Sequence, residues 1–267
     1  DDHCVSQTYL ELYLKDKDAV MIKPTTERFD YILANPATNS LNFSRDARAR
    51  WAWCDAIFMG PPAWVRMYAA TGDKKYLAFM DSELWKTSEF LYDKSEHLYF
   101  RDSTYFEKRE ANGKKIFWSR GNGWVLAGLA RVLQYLPEDF PHRKQYEEQF
   151  KEMAAKVASL QQPDGLWRPS LLDPVSYPLK ETSGSGFYTF GLAWRINHGL
   201  LERQKYEPVV LKSWKALTEC VTPDAKLEHV QPVGADPKKF DPQHTEVFGV
   251  GAFLLAGSEM YRLCGGK

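Results

Sequence analysis

Two aspartates stand where acid–base chemistry would need them. Asp55 lies in Trp51-Ala52-Trp53-Cys54-Asp55-Ala56-Ile57-Phe58-Met59-Gly60, among aromatic and sulfur-bearing neighbours. Apolar surroundings raise the pKa of a carboxylic acid and suit it to proton donation near neutral pH. Asp is also a good helix N-cap, which is the plain alternative for Asp55. Asp102 lies in Leu98-Tyr99-Phe100-Arg101-Asp102-Ser103-Thr104. Its plain alternatives are a turn residue or the ion-pair partner of Arg101. Together the two supply the pair of carboxyl groups that acid–base work at a sugar requires.

The most distinctive string is Trp118-Ser119-Arg120-Gly121-Asn122-Gly123-Trp124. Arg120 offers a planar fork that fits a carboxylate, and ties to a nearby Asp or to loop carbonyls explain it equally well. Trp118, Trp124 and, beside Asp55, Trp53 offer faces for stacking on a sugar ring. Most aromatics in a chain with nine Trp, fourteen Tyr and fifteen Phe nevertheless belong to its core. Trp167-Arg168 repeats the pairing of ring and cation. Thr182 and Ser183 stand near a helix start, where N–H groups bind anions and where capping accounts for them as well. His244, with Glu246, either lines a polar site or belongs to an ordinary first turn. No HExxH, close His/Asp triplet or CxxC pair is present, so no metal is expected and no cofactor is called for. Nothing resembles a GxSxG elbow or a nucleotide-cradling GxGxxG loop.

These residues recur at the starts of apolar, glycine-containing helices spaced roughly 60 residues apart. Apolar residues at 3–4 spacing predict nine helices. They cover Cys4–Leu14, Pro24–Leu33, Asp55–Thr71, Lys74–Tyr92, Asn122–Tyr135, Arg143–Leu160, Gly186–Leu201, Tyr206–Cys220 and Val247–Leu263. Short links alternate with long ones at Lys94–Ser119, Pro163–Ser185 and Thr222–Thr245. Long loops in a compact domain commonly carry function. Helical hairpins with their long loops on one side fit an α/α toroid. The third, fifth, seventh and ninth helices would form its inner ring. An ordinary solenoid, with repeats of about 33–47 residues, fits this period poorly.

The chain has 267 residues, enough for one domain with a large core. Its 35 basic and 35 acidic residues cancel, and no polybasic stretch marks a nucleic-acid or membrane-surface partner. No apolar run approaches the roughly 20 residues of a membrane span. Four scattered cysteines suggest neither a zinc ribbon nor a disulfide framework. Composition specifies neither compartment nor oligomeric state.

In their order and spacing, Asp55 to Met59, Trp118 to Trp124, Glu181 to Ser185 and His244-Thr245-Glu246 resemble the unsaturated glucuronyl and rhamnogalacturonyl hydrolases. These are glycoside hydrolase families 88 and 105, and the similarity runs over nearly the whole chain and looks closest to 105. The resemblance implies an all-α (α/α)6 barrel. It implies action on lyase-generated oligosaccharides that carry a 4,5-unsaturated uronic acid at the non-reducing end. The implied chemistry is hydration: an Asp protonates C4, the same group helps water add at C5, and the resulting hemiketal opens to release the leaving sugar. The resemblance assigns the proton to Asp102 and a supporting role to Asp55. It makes Arg120, Trp124, Trp167, Arg168 and His244 substrate contacts. The histidine that family members carry ahead of the catalytic Asp is replaced here by Tyr99-Phe100-Arg101. The predicted helices are fewer than six hairpins hold, so an N-terminally incomplete barrel starting at Asp1 is expected. A conventional two-carboxylate glycosidase and a non-catalytic carbohydrate-binding relative fit the same residues less fully.

Overall fold

The computed structural model describes residues 2–44 and 50–266. Asp1, where the incomplete barrel was expected to begin, lies outside them. The described residues form ten α-helices: α1 (Cys4–Asp16), α2 (Lys23–Ala34), α3 (Ala56–Met59), α4 (Pro61–Thr71), α5 (Lys74–Leu91), α6 (Ser119–Leu133), α7 (Arg143–Ser159), α8 (Thr182–Asn197), α9 (Arg203–Thr218) and α10 (Val247–Leu263). Two short strands, β1 (Tyr92–Asp93) and β2 (Leu98–Tyr99), pair antiparallel with Tyr92 opposite Tyr99.

Three boundaries differ instructively from the periodicity. The predicted helix Asp55–Thr71 is interrupted at Gly60, and α3 and α4 are its halves. Pro61 and Pro62 are the cause, because proline has no N–H to continue the hydrogen-bond ladder. The helices predicted from Asn122 and Gly186 begin earlier, at Ser119 and Thr182. Glycines that weaken an isolated helix by about 1 kcal/mol each are here inside the first turns. The Glu181 side chain fixes one of these starts by accepting from the N–H groups of Ser183 and Gly184.

The main helix contacts run α1–α4–α6–α8–α10, with α5 packed on α4, α7 on α6 and α9 on α8. This is an inner row backed by outer helices, as expected for a toroid. Almost every residue of α6 and α8 is buried. Where α6 crosses α3, a Cβ at Gly128 would lie 2.5 Å from the carbonyl oxygen of Ile57. That carbonyl is the one Pro61 cannot bond. The break in the third helix and the glycine facing it are therefore one packing feature. At the other end of the row, Glu11 of α1 accepts from Arg66 Nε at 2.8 Å and from Arg131 Nη2 at 2.9 Å. This ties α1 to α4 and α6 through a partly exposed polar network. The flanking helices α1 and α10 turn Val5, Tyr9 and Leu12, and Val247, Leu254 and Tyr261, to solvent.

The three long links meet at the end of the row where α6, α8 and α10 begin. Trp118 bridges to Ser170, and Trp167 to Glu181. The Thr182 N–H donates to the His229 carbonyl at 3.0 Å, and the Val230 N–H to the His244 carbonyl at 3.1 Å. One continuous rim results. No helix of the described residues is long and apolar enough to cross a membrane.

Gly128→Ala is expected to lower stability by about 1–3 kcal/mol through this overpacking. Thermal unfolding measures it, and an unchanged midpoint would contradict the close approach.

Candidate active site

Asp55 immediately precedes α3, and its own backbone is already helical (φ −59°, ψ −27°). Its side chain makes no capping bond, so the plain N-cap alternative is not realised. The Cys54 thiol donates to Asp55 Oδ1 at 3.1 Å. The same oxygen lies 3.6 Å from the point where a Cβ of Gly121 would be, which places Asp55 against the first turn of α6. Loss of hydration pushes its pKa up, while the Cys54 hydrogen bond and the charges of Arg101 and Arg120 moderate the rise. No cation forms a salt bridge with Asp55 among the described residues, and the residue keeps partial solvent exposure. A carboxyl with a raised pKa, unpaired and partly open, fits a proton donor.

Asp102 is in the opposite situation. It is 1% exposed. Its Oδ1 accepts the Thr104 N–H at 2.8 Å, capping the short 3-10 turn Ser103–Tyr105. Its Oδ2 is paired with Arg101. Arg101 in turn lies over the Phe43 ring at 4.5 Å. The turn-and-ion-pair alternative is what the structure contains. Both oxygens of Asp102, the residue expected to supply the proton, are thus engaged by neighbouring groups. The Leu98–Asp102 segment is fastened to α6 by Asn122. Its Oδ1 accepts from Tyr99 N at 2.7 Å, and its Nδ2 donates to the carbonyls of Tyr99 at 3.0 Å and Trp118 at 3.1 Å.

Arg120 is 2% exposed and lies between the rings of Trp118 (4.5 Å) and Phe248 (4.7 Å). Its guanidinium donates to the carbonyls of Gln231 at 2.5 Å and Pro232 at 2.8 Å. The tie to loop carbonyls is thus present and holds the guanidinium in place. Burial lowers its pKa, offset by the charges of Glu181, Asp55 and Glu246. Trp118 Nε1 donates to Gln231 Oε1 at 2.9 Å. Trp124 packs on Phe187 at 4.0 Å and Phe58 at 4.7 Å and is 9% exposed. Trp53 is half-buried and meets Phe43 edge-on. His244 is partly exposed, with Nε2 3.0 Å from Glu246 Oε1.

Four expected contacts are placed elsewhere. Trp167 is fully buried; its Nε1 donates to the Val157 carbonyl of α7 at 2.8 Å and its ring packs on Tyr188. It is a core residue between the two rings of helices. Arg168 is paired with Asp164 through both terminal nitrogens. Thr182 and Ser183 are fully buried, and the Glu181 carboxylate already occupies the free N–H groups of that helix start. No anion is needed there. Residues not singled out from the sequence also belong to the arrangement. Cys54 and Gln231 contact its key side chains, and Glu181 lies buried near Arg120. Gln231 stands in a loop without periodicity, so only the fold brings it in. Glu181 and Phe248 sat in the repeating helix-start strings and carried that signal.

A cavity of about 480 Å³ adjoins the site. Asp2, His3, Trp51, Trp53, Ala56 and Met59 contribute to its wall, and Asp55 does not. Among the described residues no group of three His, Cys, Asp or Glu gathers as a metal site would.

Comparison with known proteins adds the following. Residues 1–264 match the model of Glycosyl Hydrolase Family 88. An unsaturated 3S-rhamnoglycuronyl hydrolase of Formosa agariphila is 45% identical, over 98% of this chain and 73% of that protein. A protein of the same description from an Alteromonas species is 40% identical, over 97% of this chain and 66% of that protein. The chain thus spans 73% and 66% of the lengths of these two relatives. The solved structure of a family 88 glycosyl hydrolase from Bacteroides vulgatus superposes with a TM-score of 0.89 at 38% identity, over 98% of this chain and 74% of that one.

Asp102→Asn keeps an acceptor for Thr104 but leaves Arg101 without its counter-charge. It is expected to cost about 1–3 kcal/mol, read as a lower thermal midpoint. An unshifted midpoint would mean that Asp102 is not the structural clamp described.

Proposed function

Since the chain belongs to glycosyl hydrolase family 88, we propose that it hydrolyses oligosaccharides ending in an unsaturated uronic acid, with Asp55 delivering the proton. The fold is the (α/α)6 type of that family. The observation that carries the catalytic assignment is the state of Asp55: uncapped, free of a salt bridge and raised in pKa by burial. The protonated Asp55 gives its proton to C4 of the double bond. Positive charge then develops at C5, next to the ring oxygen. The Asp55 carboxylate, now a base, takes a proton from the water that adds there. The C5 hemiketal opens, and the bond between C1 and the leaving sugar breaks. One group serving first as acid and then as base works best with a pKa near the working pH.

Arg120 supplies fixed positive charge to the side of Asp55, directed at the carboxylate of the uronate. Trp118 and Phe248 hold it from both faces. His244 and Glu246 form the polar wall on the α10 side. The relatives are named for unsaturated 3S-rhamnoglycuronyl groups, and a rhamnose-type leaving sugar is proposed here on that ground. A conventional two-carboxylate glycosidase needs a second free carboxyl opposite the first. Asp102, bound to Arg101 and Thr104, does not offer one.

The assay is loss of the ultraviolet absorbance of the conjugated double bond on a panel of unsaturated disaccharides. Asp55→Asn is expected to reduce kcat/KM by roughly 10²–10⁴-fold. Asp102→Asn, at a temperature where it is folded, is expected to retain far more. The reverse ranking would return the proton to Asp102. Stability should move the other way. The folded-state pKa of Asp55 is raised, so its contribution to wild-type stability is lost as pH climbs from the ordinary carboxylate range through the raised value. At neutral pH, Asp55→Asn is therefore expected to unfold at the same temperature as wild type or higher.

A further inference from the structure

We propose that Cys54 is a positioning residue that holds the Asp55 carboxyl in its reactive orientation and couples it to the rim segment bearing Arg101. The inference rests on the reading of Asp55 as the proton donor. Cys54 is fully buried and is fixed at both its backbone and its side chain. Its N–H donates to the Arg101 carbonyl at 2.8 Å, and its own carbonyl accepts the Ile57 N–H at 3.0 Å. Its thiol donates to Asp55 Oδ1 at 3.1 Å. One residue thus joins the rim loop, the first turn of α3 and the carboxyl.

The slot for the sulfur is built by α6. A Cβ at Gly121 would lie 2.9 Å from Cys54 Sγ and 2.9 Å from the Trp118 ring. Glycine at this point of the Arg-Gly-Asn-Gly-Trp string therefore leaves room for the thiol, in addition to any freedom it gives the backbone. A thiol is a weak donor and donates only while protonated. Burial and the neighbouring Asp55 charge push the Cys54 pKa well above its ordinary value, so the proton stays on sulfur. For the same reason Cys54 is not a nucleophile. The other charged groups facing Asp55 are Arg101 on the rim loop and Arg120 on α6. Both act on the carboxyl through space, and neither is hydrogen-bonded to it.

The test compares Cys54→Ala with Cys54→Ser, each measured for kcat, KM, pH dependence and thermal midpoint. Alanine removes the donor; serine keeps one in nearly the same place. Cys54→Ala is expected to lower kcat about tenfold with KM little changed, in keeping with the loss of one hydrogen bond to a charged group. With that donor gone the carboxylate is less stabilised, so the alkaline limb of the rate profile moves to higher pH. Cys54→Ser is expected to restore both kcat and the limb. Wild-type kcat and profile in Cys54→Ala would overturn the proposal. So would a serine variant as impaired as alanine with an unmoved limb, since that pattern belongs to packing alone. Full activity in Asp55→Asn would instead remove the reading beneath it.

Discussion

The structure depends on how closely α6 approaches its neighbours. Along one side it meets the unpaired Ile57 carbonyl through Gly128, and along the other a Cβ at Gly123 would lie 3.2 Å from Gly184 of α8. These contacts are backbone against backbone. They fix α6 with little side-chain adjustment available, because close-packed interiors have few alternative arrangements. The first turn of α6 carries Arg120, Gly121, Asn122 and Trp124. Its position therefore sets the guanidinium, the slot for Cys54, the clamp on the Leu98–Asp102 segment and the aromatic wall. A shift of this helix by a fraction of an ångström would move all four together.

The two aspartates show how environment divides similar groups. Asp102 has an N–H on one oxygen and a guanidinium on the other. These contacts tie it to the turn it caps and to Arg101. Asp55 has one weak thiol donor and two arginines at longer range. Burial disfavours its anion and raises its pKa, so it keeps its proton to higher pH, as the proposed proton donor must. On the proposed assignment, reactivity accompanies local destabilisation, a pattern familiar at sites whose groups are held in unfavourable states.

Much of this was legible in the residues. Spaced glycine-rich helix starts predicted the inner row, and α10 begins and ends where periodicity placed it. The string around Arg120 marked the centre of the arrangement. Local context in the sequence did not carry the contacts. Arg101 next to Asp102 is visible in the sequence, but whether it turns toward that carboxyl depends on Phe43, which lies far away along the chain. Trp167-Arg168 looked like a second ring-and-cation pair, yet a residue in an extended rim segment alternates sides, and Trp167 points between α7 and α8. Periodicity ran the third helix straight through Gly60-Pro61-Pro62, where proline chemistry breaks it. The partner of that break, Gly128, lies on α6, far along the chain, and only tertiary structure joins them.

The acceptors chosen for Arg120 have a final consequence. Two neutral carbonyls hold the guanidinium, and among the described residues no carboxylate lies within salt-bridge distance of it. The group is rigid without being neutralised. On the proposed function, an arriving uronate would meet a positive charge already oriented, with no internal ion pair to break first. Had Glu181 closed on Arg120 as a counter-ion, binding would begin with a separation of charges inside a dry wall of Trp118 and Phe248. The carbonyls of Gln231 and Pro232 thus act as a solid-state solvent for the cation: dipoles frozen in place, which support the charge while leaving it undiminished for the ligand.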